Sequence, residues 1–267
     1  MKNNALDKVQ FWREDELGVV AIDNGKDNAL TEEVIDQLSA AVAIAESDAK
    51  VKVLCLTGSG PFFFSVGVSW NAVRHSSLLE KTHALASLLL AARIPTVSLI
   101  QAPALGAGVE LSLLTDYRVA SDKAVIFFPE AAHGFHTVFS GHYLCSRFCG
   151  ASISRKIFML GEMFTAEAAL NVGLVDEVFA SSTFYERAAE FARGAAQKLG
   201  FSNTIRQSFL EPTQLRLSFL QEVIAAESFG QRPSKLDELE DERAKLRKMI
   251  TGSNSPASRQ ARRSSLK

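Results

Sequence analysis

The sequence predicts an α/β fold on a mostly parallel sheet, and three observations carry that expectation. Strand-like and helix-like segments alternate up to about residue 138, the pattern of right-handed βαβ crossovers. Residues 51–57, Val-Lys-Val-Leu-Cys-Leu-Thr, form a short, nearly continuous apolar run of the kind buried on both sheet faces. With 267 residues, 47% of them hydrophobic, the chain has material for one sizeable core.

In chain order, residues 10–13 and 18–23 read as a hairpin around Asp15-Glu16. Thr31 is an N-cap with Glu32 and Glu33 in the first turn, and Val34, Leu38, Ala41 and Val42 then recur at helical spacing. Gly58-Ser59-Gly60-Pro61 ends the strand at 51–57, and residues 62–69 follow as a hydrophobic run interrupted by Gly67, a glycine that implies a close backbone approach. A helix is expected over 78–92, and strands over 117–120 and 124–128. Past residue 138 helices dominate: 143–148, 153–160 and 165–172, the last capped by Thr165 and stopped by Gly173. A short strand is expected at 174–178, then helices near 182–199, 214–228 and 235–250. The resulting division is a core over 1–180, a helical region over 181–250 and a basic, disordered tail over 251–267.

A formal net charge of −1 and a pI near 6.5 speak against nucleic acid or a membrane surface as partner. Three cysteines without paired spacing read as reduced thiols, and the N-terminus has no secretory h-region, so a cytoplasmic location is expected. The apolar stretch at 84–100 contains Arg93 and Pro95 and is not read as a membrane span.

Residues 97–116 organise the chain. An apolar strand enters a turn with Gly106 and Gly108, and a helix follows whose first turn carries Glu110, the arrangement that aims backbone N–H groups at developing negative charge. Ala107 and Glu110 lie three residues apart and so share a helix face. No third glycine completes a dinucleotide fingerprint, and no Gly-x-Ser-x-Gly elbow occurs. His133, His136 and His142 cluster in sequence, but without a carboxylate or cysteine in ligand spacing no metal is expected.

Five segments in order, Asn28-Ala29-Leu30, Phe64-Ser65-Val66-Gly67-Val68-Ser69, the run from Ala104 to Leu111, Phe128-Pro129-Glu130 and the run from Ala166 to Asp176, resemble the enoyl-CoA hydratase/isomerase (crotonase) superfamily over about residues 10–180. The resemblance implies a ββα spiral core with a helical C-terminal trimerisation region, assembling as trimers or dimers of trimers. It implies an acyl-CoA or acyl-carrier-protein thioester as substrate and no cofactor beyond the coenzyme A or phosphopantetheine of that substrate. By the same resemblance the amides of Val66 and Ala107 form an oxyanion hole, and Glu110 and Glu130 stand where hydratases keep two catalytic glutamates. Ser69 and Ala107 depart from the family's Asp and Gly, and Trp70 adds bulk nearby. Val138 and Phe139 stand where a glycine-rich loop is usual, and together with Trp70, His75 and His136 they are the candidate pocket residues. A hydratase-like reaction is the first expectation. The alternatives are an enoyl isomerase, a thioester-processing offshoot such as those of polyketide pathways, or an inactive relative serving as a binding or assembly subunit.

Overall fold

The period of two along the central strands sorts their apolar side chains onto two faces. Leu17, Val19, Val53, Cys55, Val97, Leu99 and Val119 point one way and pack on Phe184, Ala188 and Ala192. Val20, Ile22, Leu54, Leu56, Ile100 and Ala120 point the other way into the larger core. In a computed structural model, which describes residues 6–68, 76–130, 135–199 and 212–229, these residues lie on a six-stranded sheet ordered β1-β2-β3-β4-β6-β9. Its strands are β1 (Val9–Glu14), β2 (Leu17–Ile22), β3 (Val53–Gly58), β4 (Thr96–Ile100), β6 (Tyr117–Ser121) and β9 (Glu177–Phe179). The β1–β2 hairpin is antiparallel and every later pairing is parallel. β2, β3 and β4 are buried at every position, which is why their sequences run apolar without strict alternation.

A second sheet pairs β5 (Ala104–Leu105) parallel to β7 (Val125–Phe127), which meets β8 (Phe164–Thr165) antiparallel. The helices are α1 (Glu32–Ser47), α2 (Ser76–Leu90), α3 (Ala107–Leu113), α4 (Gly141–Leu160), α5 (Ala166–Val172), α6 (Phe184–Leu199) and α7 (Pro212–Phe229). α1 starts where expected, Thr31 accepting from the Val34 amide, and α5 is capped by Thr165 and closed by Gly173 in the left-handed region. The two helices expected at 143–148 and 153–160 are one element broken at Gly150 (φ 78°, ψ 159°). The last strand is Glu177–Phe179, a few residues beyond the expected 174–178. Leu174 and Val175 go into the core, and Asp176 accepts from the amide of buried Arg118 at 2.7 Å and pairs with its guanidinium. The expected helix at 235–250, the basic tail, Trp70 and His75 lie outside the described residues. Among the described residues no helix is long and apolar enough to cross a membrane.

Candidate active site

Two backbone segments meet tightly because two glycines let them. Asn28, wholly buried with φ 48°, donates to the carbonyls of Ser59 and Phe63 and accepts from the Asn24 amide, so it pins the loop that leads into Ser65. Ser65 donates through its hydroxyl to the Asn28 carbonyl, and its own carbonyl accepts from Leu105. At Gly67 (φ 80°) a side chain would stand 2.8 Å from the Leu105 carbonyl and 2.9 Å from the Ala107 nitrogen. At Gly108 it would meet the Ser65 carbonyl at 2.5 Å. The start of α3 is thus laid directly against residues 65–68.

α3 begins at Ala107 with Gly106 as its N-cap, one residue earlier than a start at the second glycine. The Ala107 amide, at the first helical position, has no acceptor among the described residues. Val66 does not supply the second open donor: its amide gives its proton to the Asp27 carbonyl at 3.1 Å. This corrects the expectation from sequence. The open amide two residues on is Val68, which bridges Leu30 through the Gly67 carbonyl and whose own N–H is unused among the described residues.

Val66, Val68, Ala107, Glu110, Glu130, Phe135, His136 and Val138 are among the residues that line one recess of about 20 Å³. That volume holds about one water. Glu130 follows β7 and is 7% exposed, and its carboxyl lies so close to Gly106 that any side chain there would strike Oε1. Glu110 is fully buried, and its Oε2 accepts from the amides of Phe139 (2.8 Å), Gly141 (3.0 Å) and Val138 (3.1 Å). The missing side chain at Gly141 makes room for it, since a Cβ would sit 2.5 Å from Glu110 Cγ. Burial, reinforced by the nearby Glu222 carboxylate, pushes the Glu110 carboxyl up to about 8 against the pull of those amides.

Phe139 was expected in the pocket, but its side chain is wholly buried in the main core and only its amide serves the site. Val138 and His136 do line the recess. Sequence reasoning missed Val68, His83 and Glu222. Glu222 sits on the α7 stripe that also carries Leu215, Ser218 and Phe219. An acid at helical spacing on that buried stripe was the available signal.

His136, His142 and Glu222 bring ligand atoms within 4.8 Å of one another, a grouping that could hold a metal. Both Glu222 oxygens are already used, Oε1 by Thr137 (2.6 Å) and Ser140 (2.7 Å) and Oε2 by His83 (2.9 Å). A tetrahedral ion would have to draw these atoms in and displace those donors. A larger cavity of about 580 Å³ lies between the opposite sheet face and α6, lined by Cys55, Thr57, Tyr185 and Arg193 among others. Among the described residues, none of the expected site residues lines it.

Comparison with known proteins agrees with this architecture. Residues 13–232 match the family model described as enoyl-CoA hydratase/isomerase. The 2,3-dehydroadipyl-CoA hydratase of Escherichia coli strain K12 is 33% identical over 178 residues, covering 65% of this chain and 68% of that protein. The crotonyl-CoA hydratase of Syntrophomonas wolfei is 28% identical over 181 residues, covering 65% and 70% respectively. A crystal structure of an enoyl-CoA hydratase from Mycobacterium avium subsp. paratuberculosis K-10 superposes with a TM-score of 0.76 at 23% identity, over 88% of this chain and 98% of that one. The alternating strands, the glycine-shaped contact between residues 65–68 and α3, and these likenesses together show that the chain belongs to the enoyl-CoA hydratase/isomerase family.

Proposed function

We propose that the chain is an enzyme of acyl-CoA thioesters that works through an enolate, adding water to, or removing it from, an α,β-unsaturated acyl group. The observation that carries this reading is convergence on one recess: the open amides of Val68 and Ala107 and the carboxyls of Glu110 and Glu130. A thioester carbonyl placed between the two amides accepts both protons, and the charge that collects on its oxygen as the enolate forms is stabilised by roughly 3–4 kcal/mol per preorganised donor. The water oxygen then bonds to the β-carbon while the C=C π electrons move toward the thioester oxygen. Glu110 orients that water and takes its proton, and Glu130 delivers a proton to the α-carbon. Each carboxyl contributes on the order of 10²–10⁴-fold.

A second reading is an isomerase in which one carboxyl carries the proton between carbons. It is favoured by the way three amides fasten Glu110 and by Val138 in the recess wall, which together leave little room for a reacting water. Turnover of a panel of enoyl-, 3-hydroxyacyl- and 3-enoyl-thioesters, on coenzyme A and on acyl carrier protein, read by mass spectrometry, separates the readings. Hydration is expected to add the mass of one water to crotonyl-CoA, and isomerisation to leave the mass unchanged while a 3-enoyl thioester becomes conjugated. If neither change occurs with any substrate, the enzyme reading fails and a binding or assembly role remains.

A further inference from the structure

Four successive amides at the start of α4, those of Val138, Phe139, Ser140 and Gly141, end on two buried carboxylates. Glu110 from α3 takes three of them and Glu222 from α7 takes the Ser140 amide between them. Ser140 itself is left-handed (φ 60°, ψ 31°), which turns its N–H away from its neighbours' direction and toward α7. α7 is seated by apolar contact: Leu215 and Phe219 pack on the main core, and Phe219 stacks on His83 with ring centroids 4.0 Å apart. Glu222 is 1% exposed, and Thr137 and His83 complete its contacts.

We propose that Glu222 is a positioning residue for Glu110: it grips the same turn from the opposite side and, as a second buried acid beside it, makes a negative charge on Glu110 harder to carry. The inference rests on the proposed role of Glu110 as the group that handles water at the thioester. Two carboxyls bound to adjacent amides of one turn resist carrying two negative charges in a dry interior, so the pair releases its protons in separate steps.

The groups facing the pair are His83 from α2, His136 on the turn, His142 and Cys145 from α4, and Glu130 after β7. Burial holds His83 down at about 4 and lowers His136 and His142, so these imidazoles are neutral near pH 7 and supply no positive charge. Burial likewise raises the Cys145 thiol. Arg118, the cation that acts on Cys145, is turned to Asp176 and the face of Phe148. Among the described groups nothing positive offsets the two acids, and Glu222, like Glu110, is pushed up to about 8, chiefly by burial.

A carboxyl raised on folding above its ordinary 4.5 gives stability that is fully present below that pH and is lost as pH climbs through about 8. Thermal unfolding of the full chain without substrate, from about pH 5 to about pH 9, reads this directly. Tm of the unsubstituted chain is expected to fall across the window. Glu222→Gln keeps the side chain's shape and an oxygen for Ser140 and Thr137, and is expected to remove more than half of that fall. Glu110→Gln should also shrink the fall, because it removes the other carboxyl that burial holds high. A uniform change in Tm at every pH, or an unaltered slope, overturns the proposal.

A second arm measures kcat/KM against pH on any thioester that is turned over. Glu222→Gln is expected to move the limb that rises toward pH 8 to lower pH by about one unit, a tenfold gain on the acid side relative to its own plateau. An unmoved limb contradicts the proposal. If no thioester reacts, the functional reading fails while the unfolding arm still decides the role of Glu222.

Discussion

Two sets of main-chain N–H groups border the recess, and they are used in opposite ways. At the crossing of residues 65–68 with α3, the amides of Val68 and Ala107 are open among the described residues. At the start of α4, the amides of residues 138–141 are all spent on Glu110 and Glu222. An open donor waits for an oxygen the protein does not itself carry; a filled one holds a side chain still. In the proposed reading, the first set receives the substrate carbonyl and the second fixes the acid that works beside it.

The largest expected effect follows from removing the acids while keeping their shape. Glu110→Gln and Glu130→Gln should each lower turnover by about 10²–10⁴-fold, with thioester binding retained, as measured by steady-state kinetics and calorimetry. Equal loss of binding and turnover would mean that these carboxyls only support the fold. Next comes the open pair: Gly67→Ala places a methyl 2.8 Å from the Leu105 carbonyl and 2.9 Å from the Ala107 nitrogen in a left-handed residue. It should cost about 10²–10³-fold in kcat by spoiling donor alignment. It should leave the pH dependence of stability intact, since Glu110 and Glu222 are held by the other set.

Phe139→Ala breaks the filled set from beneath. Its ring is wholly buried in the core, so the variant should lose about 3–5 kcal/mol in denaturant unfolding. A loss under about 1 kcal/mol would place the ring at a surface instead. The smallest effect is Asn28→Ala, which strips hydrogen bonds from the Ser59 and Phe63 carbonyls and the Asn24 amide. About 1–3 kcal/mol of stability should go, and activity should fall with it as residues 59–68 loosen.

What the sequence disclosed was local. Thr31, Thr165 and Gly173 announce helix ends because a cap acts within four residues of itself. The burial of β2, β3 and β4 shows in their unbroken apolar runs. Glu110 and Glu130, reached through family resemblance, do fall beside one recess. The errors came where a partner lies far along the chain. Val66 reads as an open donor from sequence because nothing in its own segment reveals that Asp27 occupies its amide. Phe139 reads as a pocket residue from sequence, but its side chain and its amide face different neighbours. For Glu222, helical spacing signals only a buried stripe, while its Ser140 partner, 82 residues away, is a contact no periodicity reports.

The central claim is that the open amides of Val68 and Ala107 together receive the thioester oxygen. The most direct measurement is the carbon-13 shift of a saturated acyl-CoA labelled at its carbonyl and bound to the protein. Two converging donors polarise the bond and should move the resonance downfield of its position in water. That displacement should survive in Glu130→Gln and vanish in Gly67→Ala. A bound carbonyl that resonates where the free thioester does, or a displacement indifferent to Gly67→Ala, would contradict the account.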